Sequence, residues 1–109
     1  MESDRERLQQ LIALITEKRG EHTVVLDMRE FSLGVDYFVI TEGGSVKQLR
    51  AIAERIIEGS PEQLFQQEGQ ESGDWIVLDY GEIMIHIFAP ATRCFYDLEG
   101  LWGDTVVQL

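Results

Sequence analysis

Two histidines, one cysteine and a glycine-rich turn are the residues from which chemistry would have to be built. His22 and His86 lie far apart and Cys94 is the only cysteine, so no metal-ligand spacing occurs. Cys94 follows Arg93 but has no histidine partner in evidence to act as base, and it is read as a buried or half-buried structural thiol. Gly43-Gly44-Ser45 stands between a strand-like run and a helix-like run, a geometry that can hold a phosphate on free helical N–H groups. No lysine follows as in a P-loop, and the reading of this stretch is a turn before a capped helix. A nucleotidyltransferase opens its helix similarly but also needs two carboxylates on a neighbouring strand to hold divalent metal ions. Here that strand reads Glu82-Ile83-Met84-Ile85-His86, whose alternating face offers one acid, a thioether and an imidazole. Asp27, Asp36 and Asp79 are single acids at turns or strand ends. His86, without a visible orienting partner, is read as structural or interfacial before catalytic.

The elements that position these residues centre on Trp75 to Phe88, WIVLDYGEIMIHIF, two apolar runs joined by Tyr80-Gly81-Glu82. Strand alternation puts Ile76 and Leu78 on one side with Ile83, Ile85 and Ile87. The other side carries Trp75, Val77 and Asp79, then Met84, His86 and Phe88. Such a hairpin is marginal alone and needs further strands and helices. An amphipathic helix opens the chain, with Ser3 and Glu6 as a capping box, Leu8, Leu11, Ile12 and Ile15 as its stripe, and Gly20 as its stop. Strands follow at 23–28 and, after a turn through Ser32 and Gly34, at 36–41. Ser45 and Gln48 cap the strongest helix, whose stripe is Leu49, Ile52, Ala53, Ile56 and Ile57, and which ends at Gly59 before Pro61. A short edge strand near 64–67 and an exposed loop precede the hairpin. Phe95, Leu98 and Trp102 define a final short helix, weakened by Gly100. The order α, β, β, α, β, β, β, α predicts one α/β (α+β) domain over residues 1–109: a single mixed sheet with helices mainly on one face.

The 109 residues carry 20 acidic and 9 basic side chains, a formal net charge of −11, so the average field repels phosphate. Direct nucleic-acid binding is therefore not expected; the charge serves solubility or attraction to a basic protein surface. No apolar run approaches the roughly 20 residues of a membrane span, the charged start is not a secretory leader, and one cysteine closes no internal disulfide. A soluble cytoplasmic protein without cofactor or metal is expected. Helices are needed to cover the aliphatic row, which leaves an apolar, aromatic, Met-containing face of the kind that marks a protein partner.

In order along the chain, Asp36-Tyr37-Phe38-Val39-Ile40, Gly44-Ser45, Gln48-Leu49-Arg50-Ala51-Ile52-Ala53, Trp75-Ile76-Val77-Leu78-Asp79-Tyr80-Gly81, His86-Ile87-Phe88, and Arg93 with Phe95-Tyr96-Asp97-Leu98-Glu99-Gly100-Leu101-Trp102 resemble the ribosomal silencing factor (RsfS, or Iojap) family. The resemblance runs from about Val24 to Asp104; its specificity lies in the ordered set. It implies a factor without enzymatic activity that binds large-subunit ribosomal protein fourteen, blocks joining of the small subunit and lowers translation when nutrients run short. It also implies a nucleotidyltransferase-like core that lacks catalytic acids. Glu42-Gly43-Gly44 departs from the family, where a small or polar residue commonly precedes a single Gly-x-Ser, and this weakens a phosphate site further.

The expected partner surface is Trp75, Val77, Met84, His86 and Phe88, with Tyr80, Arg93 and Tyr96 at its margin. The same face is free to pair with a second copy when no ribosome is present. Without the resemblance, two other readings stay open: an enzyme with Gly44-Ser45 as phosphate holder and Asp79 or Glu82 as metal ligand, or an adaptor for another complex.

Overall fold

A computed structural model describes residues 2–31, 33–101, 105–107 and 109, with helices α1 (Glu2–Glu17), α2 (Val46–Gly59), α3 (Pro90–Tyr96) and α4 (Leu98–Leu101). Strands β1 (Glu21–Asp27), β2 (Tyr37–Glu42), β3 (Gln66–Glu68), β4 (Trp75–Asp79) and β5 (Ile83–Phe88) form one mixed sheet in the order β1-β2-β5-β4-β3. Only β2 and β5 run parallel; the other neighbours are antiparallel. The expected β5–β4 hairpin is therefore central to the sheet, and the expected short strand is its edge.

The aliphatic row lies where alternation predicts. Ile76, Leu78, Ile83, Ile85 and Ile87 join Val25 and Val39 in one core beneath Leu8, Leu11, Leu14 and Ile15 of α1 and Leu49, Ile52, Ala53 and Ile56 of α2. Fully burying each of the Val, Leu and Ile side chains is worth about 1.5–3 kcal/mol, which makes this layer the main source of stability. At the start of α2, Ser45 Oγ accepts from the Gln48 N–H at 3.1 Å, as the sequence predicts. The Gln48 side chain reaches one residue beyond the usual capping box: its Oε1 accepts from the Gly44 N–H at 2.7 Å. Its Nε2 donates to the carbonyls of Lys18 (3.2 Å) and Arg19 (2.9 Å), joining α2 to the end of α1.

Two expectations need correction. Gly20 does not reverse the chain after α1: Arg19 takes the left-handed conformation at φ 64°. Gly20 is required instead for room, since a Cβ there would collide with Ile15 and meet Thr41 Oγ1 at 2.9 Å. The final helix is not continuous either. Asp97, at φ 46° and ψ 54°, separates α3 from α4. The short Asp side chain tolerates this turn and accepts from the Gly100 N–H at 3.1 Å. The side chain of Ser3, and Ser32 and Trp102, lie outside the described residues.

Candidate docking groove

Strand register lays out the second sheet face as a grid. Glu68 faces Val77, Val77 faces His86, and His86 lies beside Ile40. One step along, Gln66 faces Asp79, Asp79 faces Met84, and Met84 lies beside Phe38. At the other end Trp75 faces Phe88, which lies beside Glu42.

This grid is half closed. Leu26, Met28, Phe38, Ile40 and Phe88 form a second core, and Leu98 of α4 and Val35 pack against it. The outer edge of β1 is covered as well: the Val107 N–H donates to the Val25 carbonyl at 2.8 Å, and Val106 bridges to Leu26. Over β3, β4 and the near side of β5 the face stays open as a groove of about 460 Å³, lined by Gln66, Glu68, Gly69, Trp75, Val77, Asp79, Met84 and His86.

Several local devices build that groove. Gly69, at φ 89°, lets the β3–β4 connection approach so closely that any Cβ would collide with the Trp75 carbonyl. From α2, Arg50 donates to the carbonyls of Gln70 (2.9 Å) and Glu71 (3.2 Å) and pins the same connection. The Trp75 indole stacks on Phe88 with ring centroids 4.8 Å apart, and the Tyr96 ring tilts against it at 4.7 Å. Its Nε1–H donates to His86 Nδ1 at 3.0 Å. His86 is only 5% exposed, and burial lowers its pKa to about 4, so the imidazole is neutral near pH 7.

The eight residues expected at a partner surface divide accordingly. Trp75, Val77, Met84 and His86 are brought together in the groove, with Tyr96 at its margin and 48% exposed. Phe88, 1% exposed, is support beneath Trp75. Tyr80 is not at the margin: it is 6% exposed and belongs to the core on the helix side. Alternation carried one residue further, from Ile76 and Leu78 to Tyr80, indicates this face. Arg93 is also buried, its Nη1 donating to Glu42 at 3.0 Å and its Nε to Glu99 at 2.6 Å. It latches α3 and α4 onto the end of β2 and offers no free cation. Gln66, Glu68 and Gly69 were not expected in the site, and Asp79, expected on this face, was not among the expected partner residues. The edge strand was legible, but its register against β4, which sets Glu68 beside Val77, was not.

The residues considered for chemistry are dispersed. The Gly43 N–H donates to the Phe88 carbonyl at 3.1 Å and the Gly44 N–H to Gln48, so the amides of the glycine turn are already taken. Cys94, expected to be buried or half-buried, is exposed, because it falls on the outer side of α3. Among the described residues no group of three or more His, Cys, Asp or Glu could hold a metal ion. No helix among them is long and apolar enough to cross a membrane.

Fold and site together define a small α+β domain with a half-open, largely apolar groove on one face of its sheet. A family model described as "Ribosomal silencing factor during starvation" matches residues 1–108. A ribosomal silencing factor of Halalkalibacterium halodurans is 37% identical over 105 residues, covering 94% of this chain and 90% of that protein. One from Bacillus subtilis is 40% identical over 95 residues, covering 84% of this chain and 80% of its own length. A crystal structure of a Bacillus halodurans protein superposes with a TM-score of 0.84 at 33% identity, covering 96% of this chain and 99% of that one. The chain belongs to the ribosomal silencing factor family, a family of non-enzymatic ribosome-binding factors.

Proposed function

We propose that this protein silences ribosomes by docking, through the half-open face of its sheet, on ribosomal protein fourteen of the large subunit. The bulk of the domain then fills space that the small subunit needs, and translation falls during starvation without any chemical step. One observation carries the reading: Trp75, Val77 and Met84 remain half-buried in an open groove, while Phe38, Ile40 and Phe88 on the same face are sealed into a second core. An aromatic anchor beside aliphatic and thioether groups is the composition of an interface centre.

Charge supports a basic partner. Glu68 and Asp79 flank Val77 and Met84, and among the described residues no cation pairs with either carboxylate. A lysine or arginine stem fits the apolar floor, with its head near those acids. With a net charge of −11, attraction to an exposed basic protein patch, and not to RNA phosphate, directs the encounter. The family's core is read as a nucleotidyltransferase-like sheet without the catalytic acids, in keeping with the occupied Gly43–Gly44 amides. The protein acts where its ribosomes are, in the cytoplasm.

Cosedimentation with purified large subunits tests the reading. Trp75→Ala is expected to weaken binding by about 2 kcal/mol, roughly 30-fold, with the fold retained. A folded Trp75→Ala, Met84→Asp double variant that sediments like the wild type would refute the groove. A second reading rests on the outer edge of β3, which pairs only with β4 among the described strands: a second copy covers the same groove when ribosomes are absent. Light scattering across a concentration series tests it, and a strict monomer at high concentration counts against it.

A further inference from the structure

We infer that His86 is a positioning residue for docking: its Nδ1 fixes the orientation in which the groove presents the Trp75 indole. This rests on the docking reading above. The two side chains divide the work by depth, since the imidazole is 5% exposed whereas the indole is half-buried. His86 is itself clamped, edge-on to the Phe38 ring at 4.7 Å, with Val77 and Ile40 as its cross-strand neighbours.

Ring stacking alone does not orient the indole. Contacts with Phe88 and Tyr96 pack against the ring but leave it free to slide and to flip about χ2, because stacked and tilted pairs tolerate offsets. The bond from Nε1–H to Nδ1, 3.0 Å long, is directional and selects one edge. It also selects the tautomer: a nitrogen that accepts carries no proton, so the proton sits on Nε2. That Nε2 is buried and, among the described residues, has no hydrogen-bond partner.

An unsatisfied buried donor is destabilising and calls for a reason. A leucine would fill a comparable volume without that penalty. What leucine lacks is the acceptor, and without it the indole N–H would turn toward water and carry the ring out of its groove pose.

Full-length variants test this. In His86→Leu we expect urea stability equal to or above wild type near pH 7, a displaced and faster-exchanging Trp75 indole N–H signal, and about ten-fold weaker cosedimentation with large subunits. In His86→Asn the amide oxygen falls near the place of Nδ1, and both the indole signal and most of the affinity are expected to return. Nitrogen NMR of the wild type is expected to show the Nε2–H tautomer. A proton on Nδ1 overturns the inference. So does His86→Leu binding like wild type where Trp75→Ala does not, a result that leaves the docking reading standing. Wild-type binding by Trp75→Ala overturns the docking reading and this inference with it.

Discussion

The two faces of the sheet are made by alternate residues of the same strands, yet they end in opposite conditions. Beneath α1 and α2 the side chains are aliphatic and sealed, whereas on the other face β1, β2 and Phe88 are closed and the β3–β4 side is left as a groove. The difference follows from what lies above each. Two helices of 16 and 14 residues span the first face. The second receives α3 and α4, of seven and four residues, latched at one corner by Arg93 to Glu42 and Glu99. A sealed core and an open groove are thereby separated by a single step of strand alternation.

The sharpest way to break that comparison is to truncate neighbours on opposite faces. Ile85→Ala, in the sealed layer, is expected to cost about 2–5 kcal/mol in urea unfolding, while Met84→Ala, in the groove, costs well under half of that and acts on binding. Equal losses would mean that the second face is as much a core as the first.

Acid sharpens the comparison next, because His86 is the buried titrating group of the groove side. Its folded pKa of about 4 lies below the 6.5 of a free imidazole. Above pH 6.5 both folded and unfolded chains are neutral there and the stability is fully present. As pH falls from 6.5 toward 4 the unfolded chain takes up a proton that the folded one refuses, and stability declines, by about 3 kcal/mol if the whole shift is expressed. Below 4 this contribution is flat. Asp27, whose carboxyl is held below the ordinary range first by its hydrogen bond to Arg29, loses its contribution only as pH falls below its usual 3.8, so the two windows separate. Urea midpoints at pH 7 and pH 5 are expected to differ in the wild type and to converge in His86→Leu.

Salt produces the smallest effect and the one that distinguishes the two occupants of the groove. Docking on a basic partner weakens as ionic strength rises, because the attraction of Glu68 and Asp79 is screened. Pairing of two acidic copies through the same groove is strengthened, by less than about 1 kcal/mol between 50 and 500 mM salt. Light scattering and cosedimentation over one salt series are expected to move in opposite directions.

Much of this was legible in the residues. The period-two pattern of Ile83, Ile85 and Ile87 and the helical stripe from Leu49 to Ile56 each state which side must be covered, because alternation and pitch are local properties of the backbone. The same alternation would have assigned Tyr80 to the helix side had it been extended one residue. Legibility ended where neighbours come from distant parts of the chain. Glu68 beside Val77, Arg93 between Glu42 and Glu99, and Leu98 over the far half of the face depend on strand order, register and the docking of a short C-terminal segment.

By itself the amino-acid order determined the elements, the face of the sheet that requires helices, the apolar residues of the opposite face and the overall acidic charge. Only the tertiary structure decided how much of the second face remains open and that His86 accepts from Trp75. Periodicity specifies the direction in which a side chain points; what it meets there is set by contacts between residues far apart in the chain.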